Sequence, residues 1–166
     1  VVGAGRPPLV GLQLTHSGRW ARPDGSPRPR PAQRHRVLDE RTGVTGDAAM
    51  LSDDELDELV ERFAAAAALA AQAGFDFVDV KCCHGYLLHE LLGARDRPGR
   101  YGGDFEGRTR FFRQAVAAVR DRAPSIAIAV RLSAFDHVPF RSGADGVGEP
   151  EVGADLPVPF GAGDDG

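Results

Sequence analysis

Three polar residues stand near the carboxyl ends of three short apolar runs: Gln13, Lys81 and Arg131. Side chains alternate along a strand, so each can be assigned to a face. In the first run Val10, Leu12 and Leu14 oppose Gly11, Gln13 and Thr15. In the second, Val78, Val80 and Cys82 oppose Phe77, Asp79 and Lys81. In the third, Ile126, Ile128, Val130 and Leu132 oppose Ala127, Ala129, Arg131 and Ser133. Each strand thus has one bulky apolar face and one small or polar face. Polar groups turned inward are costly unless paired or solvated. Donors gathered at one end of one face suit an active site, which in (β/α) barrels lies at the carboxyl ends of the strands. A structural ion pair between Asp79 and Lys81 is the alternative, and it leaves Gln13 and Arg131 unexplained.

Other reactive residue types carry weaker signals. Cys82, Cys83, His84 and His89 invite a metal reading. Adjacent cysteines do not easily ligate one ion and no Cys-x-x-Cys spacing is present, so no metal is expected. Neighbouring Cα atoms lie ~3.8 Å apart, short of the ~4.4–6.8 Å that an ordinary disulfide spans. Two unbridged cysteines fit a reduced, cytoplasmic compartment. A reactive thiol at Cys83 beside Lys81 is a lesser option. His16 reads as a hydrogen-bonded structural residue, Trp20 as a packing residue, and His35 and His137 as surface positions.

The elements that must hold these residues are legible from periodicity. The strands are read at Leu9 to Thr15, Phe77 to Cys82 and Ile126 to Ser133. A helix begins sharply after Ser52, which forms a capping box with Glu55, and Gly74 ends it. Asp53 and Asp54 suit its first turn. Leu56, Leu59, Val60, Phe63, Ala67 and Ala70 make its apolar face. Tyr86 to Leu92 reads as a short helical turn with a leucine core. A second long helix runs from about Glu106 to Arg122, with Phe111, Phe112, Ala115, Val116 and Val119 buried. The proline-rich loop from Arg19 to Arg36 cannot be helical, and its arginines read as a solvated surface or, less simply, a docking strip for an anion. From residue 141 to 166 the chain reads as Gly/Pro/acid-rich loop or disordered end. Strands alternating with helices imply parallel strands and right-handed crossovers. No glycine-rich phosphate turn follows the first strand, which disfavours a dinucleotide-binding sheet. The expected fold class is α/β, a partial (β/α)8 barrel over residues 1–140.

The 166-residue composition and net charge of -4 are ordinary for a globular chain and give no reason to expect nucleic acid as a partner. No apolar run reaches the ~18 residues of a membrane span, and no leader pattern is visible.

Four segments resemble one family. Gln13-Leu14-Thr15-His16-Ser17-Gly18-Arg19 resembles the third-strand signature of old yellow enzyme-like flavoproteins, and His84-Gly85-Tyr86-Leu87-Leu88 their fourth-strand signature. Arg100-Tyr101-Gly102-Gly103 through Glu106-Gly107-Arg108 to Arg110-Phe111 is similar to their Tyr-Gly-Gly…Glu-Asn-Arg…Arg-Phe stretch, and Val130-Arg131-Leu132-Ser133 to their fifth-strand arginine motif. The match covers roughly residues 9 to 137. The resemblance implies an eight-stranded barrel that binds FMN without a covalent link. Such an enzyme takes hydride from NADH or NADPH and passes it to an electron-poor alkene, as an ene-reductase or enoate reductase does. By resemblance, Gln13 hydrogen-bonds the pyrimidine end of the flavin, and Arg131 holds the edge where negative charge gathers on reduction. Tyr86 is the acid that protonates the alkene carbon, and His84 one of two donors that polarise the substrate oxygen.

There are departures from the pattern. Lys81 stands where the first histidine of His-x-x-His belongs, Cys83 replaces a small alanine, and Gly107 replaces the asparagine of Glu-Asn-Arg. Lysine can still donate to the substrate oxygen, and its charge could turn substrate choice toward a carboxylate or another anion. A full barrel takes ~250 residues, so the chain is expected to be the central part of a longer protein, with strands three to five. Alone it is expected to bind FMN weakly or not at all, and to be functional in its full-length parent. The alternatives are a non-catalytic fragment or decayed copy of such a barrel, and a barrel of other chemistry using Lys81 as a Schiff base. The physiological substrate, the choice of NADH or NADPH and the oligomeric state are left open.

Overall fold

A computed structural model describes residue 5 and residues 7–161. Strand β1, Gly11–Leu14, lies beside β2, Phe77–Cys82, which lies beside β3, Ala127–Leu132, in a three-stranded parallel sheet of order β1-β2-β3. Helix α1, Arg36–Thr42, and helix α2, Asp53–Gln72, lie between β1 and β2 in sequence; α3, Leu87–Leu92, and α4, Phe105–Arg122, lie between β2 and β3. The fold is α/β, and both crossovers carry helices, as parallel neighbours require.

Alternation along the strands sets what each face meets. Leu14, Val78, Val80 and Cys82 are buried against Leu56, Val60, Phe63, Phe111, Ala115 and Val119 of α2 and α4. Phe63 and Phe111 meet edge to face with ring centroids 5.7 Å apart. The capping box at α2 is formed in full: Ser52 Oγ accepts from the Glu55 amide and the Glu55 carboxylate accepts from the Ser52 amide. Edge strand β3 leaves Val130 and Leu132 exposed on the apolar face.

Three features depart from the sequence reading. Helix α1 follows the proline-rich loop and is capped by an unusual residue, His35, whose Nδ1 accepts from the Leu38 amide at 3.4 Å. Residues Phe140–Ser142 (β4) and Gly148–Pro150 (β5) pair as a short antiparallel hairpin that begins one residue before the segment read as loop and runs into it, while residues 162–166 lie outside the described residues. Arg19 is not solvated. It is 2% exposed, pairs with Glu90, and donates to Asp39 Oδ1 at 2.8 Å and to the Gln33 carbonyl at 2.9 Å.

The departure at Gly107 has a steric counterpart. A Cβ built there would stand 2.0 Å from the Gly102 carbonyl oxygen, so α4 and the Tyr101–Gly103 loop approach backbone to backbone. Gly102 is equally tight, with the Arg97 carbonyl oxygen 2.3 Å from its own notional Cβ.

Candidate functional site

The sheet register places the three donors. Gln13 is level with Asp79, and Lys81 is level with Arg131. Residues opposite one another in register point to one side, and so do residues two apart along a strand. Gln13, Asp79, Lys81 and Arg131 therefore share one face, toward the carboxyl ends of their strands. Asp79 links them: its Oδ2 accepts from Gln13 Nε2 at 3.0 Å and lies 3.0 Å from a guanidinium nitrogen of Arg131. The carboxylate is nearly buried, and it faces donors on both neighbouring strands rather than Lys81. Gln13 and Arg131 are exposed, so their remaining polar atoms are open to a ligand.

Lys81 lies only 8% exposed, with its ammonium 3.5 Å from the centroid of the Tyr86 ring. That contact joins the sheet face to the loop after β2. A cation over an aromatic face contributes ~0.5–2 kcal/mol, and the ring brings no negative charge of its own. The ring steadies the lysine without compensating it.

The loop after β2 is a tight turn. Tyr86 N donates to Cys83 O at 3.4 Å, and His84 and Gly85 have φ of 61° and 66°. Both central residues are left-handed, as in a type I′ turn. His84 is the non-glycine residue with positive φ among the described residues, and such conformations gather at functional sites. Trp20 braces the turn: its indole N–H donates to the Gly85 carbonyl at 3.1 Å. The sequence reading gave Trp20 a packing role, and the structure gives it this hydrogen bond on an exposed ring. The loop after β1 is fastened to the same place, because Leu87 N donates to His16 O at 3.1 Å. A Cβ at Gly18 would stand 2.9 Å from the Leu87 nitrogen, and its φ is 58°, so glycine is needed there. His16 itself accepts from the Gly18 amide, and burial, then Arg30 and Arg62, hold its imidazole below the usual range.

His84 and Tyr86 line a cavity of about 550 Å³ with Trp20, Arg41, His89 and His137. In its wall, Glu90 is pushed up by burial, with Arg19 opposing. His89 is buried, with Nε2 2.9 Å from Asp136 Oδ1 and its ring 5.1 Å from that of Phe160. Neither His89 nor the Arg19–Glu90 pair was marked by the sequence as part of this wall, since both are assembled across the chain.

Cys82 closes β2 and Cys83 opens the turn. Both are free and buried, and burial, then Cys83 and Asp79, push the Cys82 thiol up to about 12. Among the described residues no group of three or more His, Cys, Asp or Glu is placed to hold a metal ion.

A parallel α/β sheet with a polar site at its strand ends defines the general class. Residues 6–149 match the model of the NADH:flavin oxidoreductase / NADH oxidase family, and the chain belongs to that family. It is 33% identical over 133 residues to an NADPH dehydrogenase of Bacillus velezensis, covering 77% of this chain and 36% of that protein. It is likewise 33% identical over 135 residues to the putative 12-oxophytodienoate reductase 2 of Oryza sativa subsp. japonica, covering 78% and 36%. Among solved structures, Old Yellow Enzyme from Pichia sp. AKU4542 aligns with a TM-score of 0.60 at 27% identity, covering 75% of this chain and 35% of that one. Histamine dehydrogenase from Rhizobium sp. 4-9 aligns with a TM-score of 0.61 at 27% identity, covering 75% and 19%. The chain thus spans about a third of the length of the curated relatives named.

Proposed function

We propose that this chain is the central part, strands three to five, of a (β/α)8 barrel that works as an FMN-dependent ene-reductase in its full-length parent. The observation that carries the reading is the single sheet face on which Gln13, Lys81 and Arg131 stand together, with Asp79 between the first and last of them. The donor set fits FMN in kind. Gln13 offers an amide donor and acceptor, Arg131 a fixed cation, and both are exposed on that face. These two would hold the pyrimidine edge of the flavin.

FMN, when bound, supplies hydride chemistry between NADH or NADPH and an electron-poor alkene. The chain's own residues do the rest. Lys81 and His84 donate to the substrate oxygen and orient the alkene. Tyr86 holds a proton on its Oη and releases it to the alkene carbon. The left-handed turn at His84 and Gly85, braced by Trp20, fixes where both side chains leave the backbone. The barrel unit is taken as residues 1–140, with the Gly/Pro/acid-rich segment 141–166 outside it. Two free, buried cysteines accord with a cytoplasmic setting. Among the described residues no helix is long and apolar enough to cross a membrane.

The test is Tyr86→Phe in the full-length protein loaded with FMN. Reduction of an enone such as cyclohexenone should fall by about 10²–10⁴-fold, the usual weight of a positioned acid. NADPH-driven bleaching of the flavin should stay near the unsubstituted rate. A protein that takes up no FMN, or a variant that reduces the alkene at full speed, would defeat the reading.

A further inference from the structure

We propose that Lys81 sets the specificity of this site, and that the substrate it selects carries a carboxylate conjugated to the reacting alkene. The inference rests on the strand-end face being the substrate site. Lys81 is 8% exposed, and among the described residues its ammonium makes no hydrogen bond or ion pair; its partner is the Tyr86 ring. The carboxylate on its own face is already engaged, since Asp79 Oδ2 serves both Gln13 and Arg131 at 3.0 Å. Arg131 is also the register partner of Lys81, so two cations stand side by side against one anion.

An aromatic face matches the sign of an ammonium but itself offers no acceptor to the three N–H donors. A cation held this close to the interior gains when a ligand supplies the counter-charge. A neutral carbonyl accepts a hydrogen bond and leaves the charge in place. A carboxylate accepts and cancels it. Because Lys81 touches Tyr86, the group that anchors the anion lies beside the group that gives the proton. An alkene joined directly to the anchored carboxylate is the substrate that uses both. Lys81 stands where the related sequence pattern has histidine, which carries a full charge only when protonated.

Calorimetric titration of the full-length protein with benzoate and benzamide tests this, because the two probes share a shape and differ in charge. Benzoate should bind at least about tenfold more tightly. Lys81→Met should erase that preference and Lys81→Arg should keep most of it, with Lys81→Gln as a second neutral variant should methionine prevent folding. Equal binding of the two probes by the unsubstituted protein overturns the proposal. So does a benzoate preference that survives in the folded neutral variant, including one that instead loses affinity for FMN. FMN uptake is titrated separately. Its absence would sink the flavin reading, whereas the probe preference and its dependence on Lys81 are read from heat with or without flavin.

Discussion

Asp79 holds together two residues that arrive from different strands. Its Oδ2 takes a hydrogen bond from Gln13 on one side and faces Arg131 on the other. Asp79→Asn keeps the shape and removes the charge, leaving Arg131 without its anchor. Hydrogen bonds to a charged group contribute ~1.5–3 kcal/mol, and 1.4 kcal/mol is tenfold in affinity. The expected outcome is an FMN dissociation constant about tenfold or more weaker in the full-length protein, read by quenching of flavin fluorescence. The sequence reading offered Asp79 to Lys81, because the two share a face of one strand. Geometry decides otherwise. Residues two apart on a strand are ~6.6 Å apart, whereas neighbouring strands lie ~4.8 Å apart. Cross-strand partners are nearer, and register cannot be read from one strand alone. Gln13, Lys81 and Arg131 were legible because alternation needs only their own strands.

Element boundaries followed the same division between local and distant causes. Helix α2 begins at Asp53 because Ser52 and Glu55 satisfy each other's backbone donors, a signal contained in four residues. Ser52→Ala should lower unfolding free energy by about 1 kcal/mol. Urea titration followed by circular dichroism would show this as a lower midpoint with an unchanged slope. Helix α1 carried no comparable signal. It spans Arg36–Thr42 and is capped by His35, a residue outside the usual capping set. Its last turn is tied by Arg41 to the Phe140 carbonyl and to Glu151, far along the chain. The hairpin of β4 and β5 escaped notice for a similar reason. Its strands are short and polar, and the Arg141–Glu149 pair that faces across them has meaning only once the register is known.

At the scale of the molecule, charge buried behind the cavity sets the response to acid. Burial pushes the Asp39 carboxyl up, but hydrogen bonds from Arg19 and Arg34 more than offset it, so it titrates below its ordinary value of 3.8. Asp136 behaves likewise: burial pushes it up, and His89 and the His137 amide together more than offset that. The unfolded chain therefore binds more protons than the folded one in this range. Stability from these two groups is complete above the ordinary value and drains away as pH falls through the lower, folded values. Glu90 works in the opposite sense: burial raises its carboxyl, so its contribution is full at low pH and fades as pH rises above its ordinary value of 4.5. Asp39→Asn should flatten the fall in Tm between about pH 5 and pH 3, as read by calorimetry. An unchanged slope would remove Asp39 from the account. The α/β layering was legible from hydrophobic alternation, whereas the Arg19, Asp39 and Glu90 cluster was not, because its members come from three separate segments.

Trp20 is the chain's sole tryptophan, and its indole donates to the Gly85 carbonyl in the turn between His84 and Tyr86, the two residues proposed to meet substrate. Within this chain, selective near-ultraviolet excitation would therefore address one fluorophore, which lines the cavity. Its emission overlaps flavin absorption, so in the full-length parent the Trp20 share of energy transfer, isolated by Trp20→Phe, would report cofactor arrival without a label. A colour shift on adding carboxylates would follow the same turn from the inside, giving an optical readout encoded by the polypeptide itself.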